Sequence, residues 1–410
     1  MSLPKIVFTL GLIAVEAILI MHVFGLSSLQ WKWARRHWKI GTLVVAQASF
    51  AVLFLMGSYA ERHWKFYDDV VSLTGENSRR QNFEVKGDPS LERWLQVQRP
   101  TLPRPSFSSS GELRLWQRSL RHTLKEVFHF PDTSLSVNPK VQILSSTKVS
   151  QNITRSFLTF ESFDGSSIPA FLFRPVCTQP RPAILVLPGH VGEHESGITQ
   201  TAGLVGSYQS KSALALAEAG YVTMTIEFRG FGYLGSPANE IQVAHNAILG
   251  GSFYKAILAK DIKYAVDLLQ SFAATAVDPK RIGITGVSFG GEMAVTYAAL
   301  DERIRAVVSQ GYGGETGNFG TADSSDLHLC HLIPGQNMLF QQQDLFLIIA
   351  PRPMLGVRGT ENNPVMPEFV EVLTDFYRTL SAERNFSFVI ALGGHEYFVK
   401  PAIDFFRKHL

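Results

Sequence analysis

The segment Gly286-Val287-Ser288-Phe289-Gly290-Gly291 runs directly from the β-branched stretch Arg281-Ile282-Gly283-Ile284-Thr285 into the apolar run Glu292 to Leu300. A serine hydroxyl is a weak nucleophile unless a fold thrusts it clear of its neighbours beside a base. Glycines on both sides of a sharp strand-to-helix turn allow that exposure without clashes. Ser288 is thus the candidate nucleophile, and the helix starting after it would place its positive dipole end, with the Phe289 N–H, where an oxyanion forms. The base of such a site belongs in a loop after the last strand. Phe386 to Leu392 followed by Gly393-Gly394-His395 supplies one, and serine precedes histidine in the chain as this topology requires. The bland readings are a tight glycine packing turn and a surface histidine; the strand, helix and chain order around both residues favour chemistry.

Other reactive groups carry less. His190 and His194 are four apart and His328 and His331 three apart. The second histidine of a zincin helix is missing, and His190 lies in a glycine turn where helical spacing has no meaning. Cys330 and His331 read as packed or pocket-lining residues. No glycine-rich run carries the Lys and Ser/Thr of a phosphate loop. The sequence therefore calls for no cofactor and no metal.

The elements that must position Ser288 and His395 are legible from about Ser156 onward. Short β-branched runs alternate there with longer amphipathic segments, the pattern of a mostly parallel sheet covered by helices. Phe157 to Ser162, the Asp164-Gly165 turn and Ile168 to Pro175 read as a leading hairpin. Strands follow at Ala183 to Pro188, Tyr221 to Glu227, Arg281 to Gly286, Ile304 to Ser309, Pro353 to Val357 and Phe386 to Leu392. Helices fall near Ser207 to Ala219, Tyr254 to Ser271, Gly290 to Leu300, Glu368 to Leu380 and Tyr397 to Leu410. Gly311 to Ala350 reads as an irregular insertion.

From about Phe157 onward the chain resembles the α/β-hydrolases, within them the dienelactone hydrolase and acetyl xylan esterase-like branch. The resemblance rests on DGSSIPAFLFRP, PAILVLPGH, VDPKRIGITGVSFGGEMA, ALDERIRAVVS, CHLIPG, APRPML and GGHEYF taken together. It implies an α/β-hydrolase fold with a mostly parallel, eight-stranded type of sheet and helices on both faces. It also implies that Pro188-Gly189-His190 forms the oxyanion loop, the backbone N–H of His190 or Val191 pairing with that of Phe289, and that Asp326 to Gly335 helps wall an acyl pocket.

The third member of the triad is where this chain departs from the pattern. Relatives place an aspartate after the APRP strand; here the turn reads Gly359-Thr360-Glu361-Asn362-Asn363-Pro364 and holds no aspartate. Glu361 is its single carboxylate, and a glutamate can orient an imidazole and stabilise its charged form. If Asn362 or Asn363 stood there instead, a neutral amide would hold the ring without supporting its charge. Asp344 and Asp375 are lesser candidates.

Ahead of this body, Ile6 to Leu26 and Ile40 to Ala60 are each long enough to cross about 30 Å of hydrocarbon as a helix. Lys32, Arg35, Arg36 and Lys39 lie between them without an acidic residue, with Trp31, Trp33 and Trp38 suited to the headgroup layer. The expectation is a membrane anchor over residues 1–65, with spans at 6–26 and 40–60, its turn facing the cytoplasm. Glu16, His22 and Gln47 read as hydrogen-bonding across that hairpin. A linker and helical extension over 66–150 would follow, with a catalytic domain over 151–410 on the non-cytoplasmic side. Within the extension, Leu113, Trp116, Leu120, Leu124 and Val127 recur at helical spacing, with Arg114, Arg118, Arg121 and Lys125 on another face.

Composition sets the limits. In 410 residues, 38 Lys and Arg against 35 Asp and Glu give a net charge of +3, which excludes the electrostatic footprint of a nucleic-acid binder. Cys177 and Cys330 are too few for a thiolate zinc cage and allow at most one disulfide. The reading that follows is a membrane-anchored serine esterase acting on a small ester, with acetylated carbohydrate suggested by the resemblance. A serine peptidase of the same fold and an inert membrane-tethered binding protein are the alternatives.

Overall fold

The computed structural model describes residues 103–106, 109–134, 137–192, 194–235, 239–272, 276–314, 329–361 and 365–410. All belong to one compact unit, Asp88–Leu410. The two expected spans lie outside the described residues; among the described residues no helix is long and apolar enough to cross a membrane.

The chain enters through helix α1 (Ser110–Val127), capped by the Ser109 hydroxyl accepting from the Glu112 N–H at 3.4 Å. Leu113, Trp116, Leu120 and Leu124 are buried on its inner face, each worth about 1.5–3 kcal/mol when taken from water. Arg114 and Arg118 stay in solvent, but Arg121 does not. It sits one position from the apolar stripe and turns inward, donating to the Ala299 and Ile348 carbonyls, so the basic face is shorter than the sequence spacing implies.

Nine strands then build one sheet: β1 (Val141–Ser150), β2 (Ile153–Glu161), β3 (Ser167–Pro175), β4 (Arg181–Leu187), β5 (Val222–Ile226), β6 (Val277–Val287), β7 (Ile304–Gln310), β8 (Met354–Gly359) and β9 (Phe386–Ala391), in spatial order β1-β2-β3-β5-β4-β6-β7-β8-β9. The first three pairings along that order are antiparallel and the remainder parallel. The leading hairpin turns at Asp164-Gly165, where Gly165 has φ +82°. β1 is one strand more than the sequence pattern gives, and it carries the sheet back past residue 151. Val141 to Lys148 are exposed at the sheet edge, so no inside-outside alternation marks them.

The inner parallel strands, β4 to β8, bury both faces over most of their length, as a sheet covered on two sides must, while β9 at the edge is largely exposed. Leu185, Leu187, Met224, Ile282 and Ile284 point into one core. There they meet α1, α4 (Tyr254–Ser271), α5 (Phe289–Leu300) and α6 (Pro367–Thr379). Ile184, Val186, Val308 and Val357 point into the other, against α2 (Ser212–Glu218) and α7 (Val399–His409). Among the described residues the remaining helix of more than two turns, α3 (Glu240–Leu249), starts at an Asn239 cap. α7 reaches back to the middle of the sheet: a β-carbon on Gly283 of β6 would lie 2.8 Å from both Phe406 and Leu410.

Candidate active site

β6 ends at Val287 and α5 starts at Phe289, so the whole reversal falls on Ser288, held at φ 59° and ψ −127°. That is a costly conformation for a residue with a side chain, and it persists because the surroundings over-determine it. A β-carbon at Gly286 would lie 2.4 Å from the Gly290 carbonyl carbon, and one at Gly290 only 2.2 Å from Leu187 O. The backbones of β4 and α5 therefore touch, and neither glycine is replaceable. Ser288 N–H donates to Gln310 O at 2.8 Å, tying the turn to β7. As the first residue of the helix, Phe289 has an N–H with no acceptor within the helix.

His395 lies across this turn. A β-carbon on Gly311 would be 2.9 Å from His395 Cε1 and 3.2 Å from both His395 Nδ1 and Ser288 N, so one small gap separates imidazole from serine backbone. The ring is partly open to solvent and stacks on Tyr208 with centroids 5.7 Å apart. Partial burial, and then the charge of Arg358, lower its pKa below the usual 6.5. An imidazole kept neutral in this way is ready to accept a proton near neutral pH.

Glu361 sits in the neighbouring turn. Its N–H donates to Gly393 O at 3.1 Å, and a β-carbon on Gly394 would be 3.2 Å from its Oε2. The carboxylate thus reaches the residue before His395, yet among the described residues no carboxylate lies within ion-pair distance of the imidazole. Asp344 is committed elsewhere, 3.3 Å from Arg104, and Asp375 is paired with Arg378 at 2.5 Å on the exposed side of α6. Asn362 and Asn363 lie outside the described residues, as does the start of the Asp326 to Gly335 loop.

The loop after β4, where the resemblance puts the oxyanion donors, is held by a polar chain. Gly189 N–H donates to Gln209 Oε1 at 2.9 Å; Gln209 donates to Gln200 at 2.8 Å and Gln200 to Glu195 at 2.7 Å. Gly189 N–H is thereby occupied, and so is that of Gly192, which donates to Glu195 Oε2 at 3.3 Å. Glu227 anchors the far side by accepting from the Ser196 hydroxyl and from Gly197 N–H at 2.9 Å, and burial pushes its carboxyl up to about 7. The His190 ring lies flat on Phe289, 4.7 Å away.

Two groups went unread in the sequence. The Tyr208 hydroxyl donates to His190 O at 2.7 Å. Burial raises its pKa, so it stays a phenol. Beneath the elbow, Glu292 in the first turn of α5 pairs with Lys255 and with His331 Nδ1 at 2.5 Å. Burial opposes its charge, but Lys255 and His331 outweigh that and hold its carboxyl below the usual range. Cys177 and Cys330 are both free thiols. Burial first, and then Glu240 and Glu292, push the Cys330 thiol up to about 12. Beside the loop, a cleft of about 380 Å³ is lined by Val191, Gly192, Phe231, Glu240 and Gln242.

Comparison with known proteins agrees with this layout. The model of the acetyl xylan esterase family (AXE1) matches residues 130–312, from the end of α1 through Ser288 to the Gly311 loop. The Bacillus subtilis protein YtaP, named as a hydrolase, is 28% identical over 236 residues, covering 55% of this chain and 77% of its own. A Bacteroides fragilis structure named as an acetyl xylan esterase superposes with a TM-score of 0.59 at 19% identity, over 73% of this chain and 81% of that one. A glucuronoyl esterase from Solibacter usitatus does so with a TM-score of 0.54 at 14% identity, over 76% and 96%. At such identities the two structures speak for the fold.

Proposed function

We propose that this chain, which is an α/β-hydrolase of the acetyl xylan esterase-like branch and a serine carboxylic ester hydrolase, cleaves small acyl esters through an acyl-enzyme on Ser288. The observation that carries the reading is the Ser288 backbone, bent to φ 59° between β6 and α5 with the His395 imidazole across a single gap. Ser288 Oγ attacks the acyl carbon as His395 accepts its proton. The tetrahedral oxyanion is met by the amides of Phe289 and His190, and the alcohol leaves with the proton from His395. Water, deprotonated by the same imidazole, then releases the acid and restores the serine. Glu361 orients His395 and supports its charge once the substrate is bound. Its carboxylate has one residue's width to cross, and hydrogen bonds of this kind often tighten only in the complex.

No metal or cofactor takes part in these steps. Acetylated carbohydrate is the substrate class we assign, since the family model carries the acetyl xylan esterase name. Residues 6–26 and 40–60 anchor the chain in a bilayer with the catalytic body on the non-cytoplasmic side. Alkaline carbonate extraction of membranes should leave the full chain in the pellet.

The activity is tested with the full-length chain by p-nitrophenyl acetate and butyrate hydrolysis together with fluorophosphonate labelling. Both should be lost in Ser288→Ala. A folded wild type that neither labels nor turns over would overturn the esterase reading in favour of an inert tethered binding protein, which the separation of Glu361 from His395 would then explain.

A further inference from the structure

The side of the oxyanion loop away from His395 gathers groups that the ester chemistry leaves unused. His190 Nε2 lies 3.3 Å from Cys330 Sγ and 3.6 Å from Glu240 Oε2. One donor atom from each of His190, Cys330 and His331 falls within 4.8 Å of the other two. A tetrahedral zinc ion with bonds of about 2.0–2.3 Å needs its donors roughly 3.3–3.8 Å apart, so the His190–Cys330 and His190–Glu240 separations already fit, His331 must close on that pair, and the Glu240 carboxylate, which is not in the group gathered within 4.8 Å, must swing inward to complete the site.

Packing alone does not account for this gathering. Glu240 Oε2 is buried and accepts no hydrogen bond, an arrangement that costs free energy unless something else satisfies it. Glu292 holds His331 by Nδ1, which fixes the ring and leaves Nε2 for a ligand. A carboxylate behind the outer nitrogen of a histidine is the usual support for a metal-bound imidazole. Two imidazoles, a thiol and a carboxylate are a donor set suited to zinc, while hard cations prefer oxygen alone.

We propose that His190, Cys330 and His331, with Glu240 as the fourth ligand, form a Zn²⁺ site that clamps the oxyanion loop. The ligands come from three separate parts of the chain: the loop after β4, the start of α3 and the turn at Leu329–His331. Binding releases the Cys330 proton to solvent and joins these segments around Phe289. The amide assigned to the oxyanion belongs to the ligand residue His190, so the metal restrains the loop through the side chain while the backbone stays available.

The test uses Zn²⁺ and Co²⁺ alone with the full-length chain. Competition with a chromophoric chelator should give one Zn²⁺ per chain, and His331→Ala should weaken it at least about 100-fold, beyond the loss of a supporting partner. Co²⁺ should produce a thiolate-to-cobalt charge-transfer band that survives Cys177→Ser and vanishes in Cys330→Ser. Should Cys330→Ser fail to fold, zinc-edge X-ray absorption of the loaded wild type decides, with one sulfur expected in the nearest shell. A chain that binds no Zn²⁺, a band that follows Cys177, or a shell without sulfur would overturn the proposal. Hydrolysis is read separately, so failure of the metal site leaves the esterase assignment standing.

Discussion

The two halves of the site are built by different means. At Ser288 the backbone dictates everything: Gly286 and Gly290 let β4 and α5 touch, and Gln310 O fixes the serine N–H. At His395 the ring is partly open to solvent, stacks on Tyr208, and stands one residue from the carboxylate assigned to orient it. Rigid geometry therefore sits with the proposed nucleophile and adjustable electrostatics with the proposed base. Catalysis of this type needs the serine and its oxyanion donors preorganised before substrate arrives, whereas the acid behind the histidine matters when charge develops.

That contrast is best broken at its strongest point. Ser288→Ala should lower kcat by at least about 10⁴-fold in ester turnover without changing the unfolding midpoint much. Glu361→Gln should cost up to about 10⁴-fold in kcat with KM nearly unchanged; a fall of less than about 10-fold would place the orienting group elsewhere. Gly290→Ala tests the rigid half directly. Forcing a methyl against Leu187 O should cost about 3 kcal/mol in denaturant unfolding. Tyr208→Phe removes the bond to His190 O, and about a 10-fold drop in kcat is expected from losing one net hydrogen bond's worth of positioning. The finest test is pH. His395 works as a base only when neutral, so activity should rise with pH through an inflection below 6.5 and hold above it. Replacing Arg358 by Met removes a nearby cation, which should move that inflection upward.

The rigid half was also the legible half. Strand, glycine-flanked serine and helix follow one another without a gap, so local sequence suffices to place Ser288, and the two glycines before His395 announce the loop that carries it. Charged groups held by distant partners leave no such mark. Lys255 reads as an ordinary polar position on an amphipathic helix, though it is buried against Glu292. Arg121 reads as solvated for the same reason, because the carbonyls that receive it belong to residues far along the chain. Tyr208 lies just before α2, where neither periodicity nor any motif singles out an aromatic. β1 escaped because an exposed edge strand need not alternate.

The position of α7 has a consequence for synthesis. Gly283, in the strand that delivers Ser288, is packed by Phe406 and Leu410, and the base at His395 comes from the same late part of the chain. A nascent polypeptide that has just released Ser288 from the ribosome has neither the base nor the packing of its central strand. On the proposed mechanism the serine would stay chemically silent until α7 docks, so that synthesis passes through no half-built hydrolase.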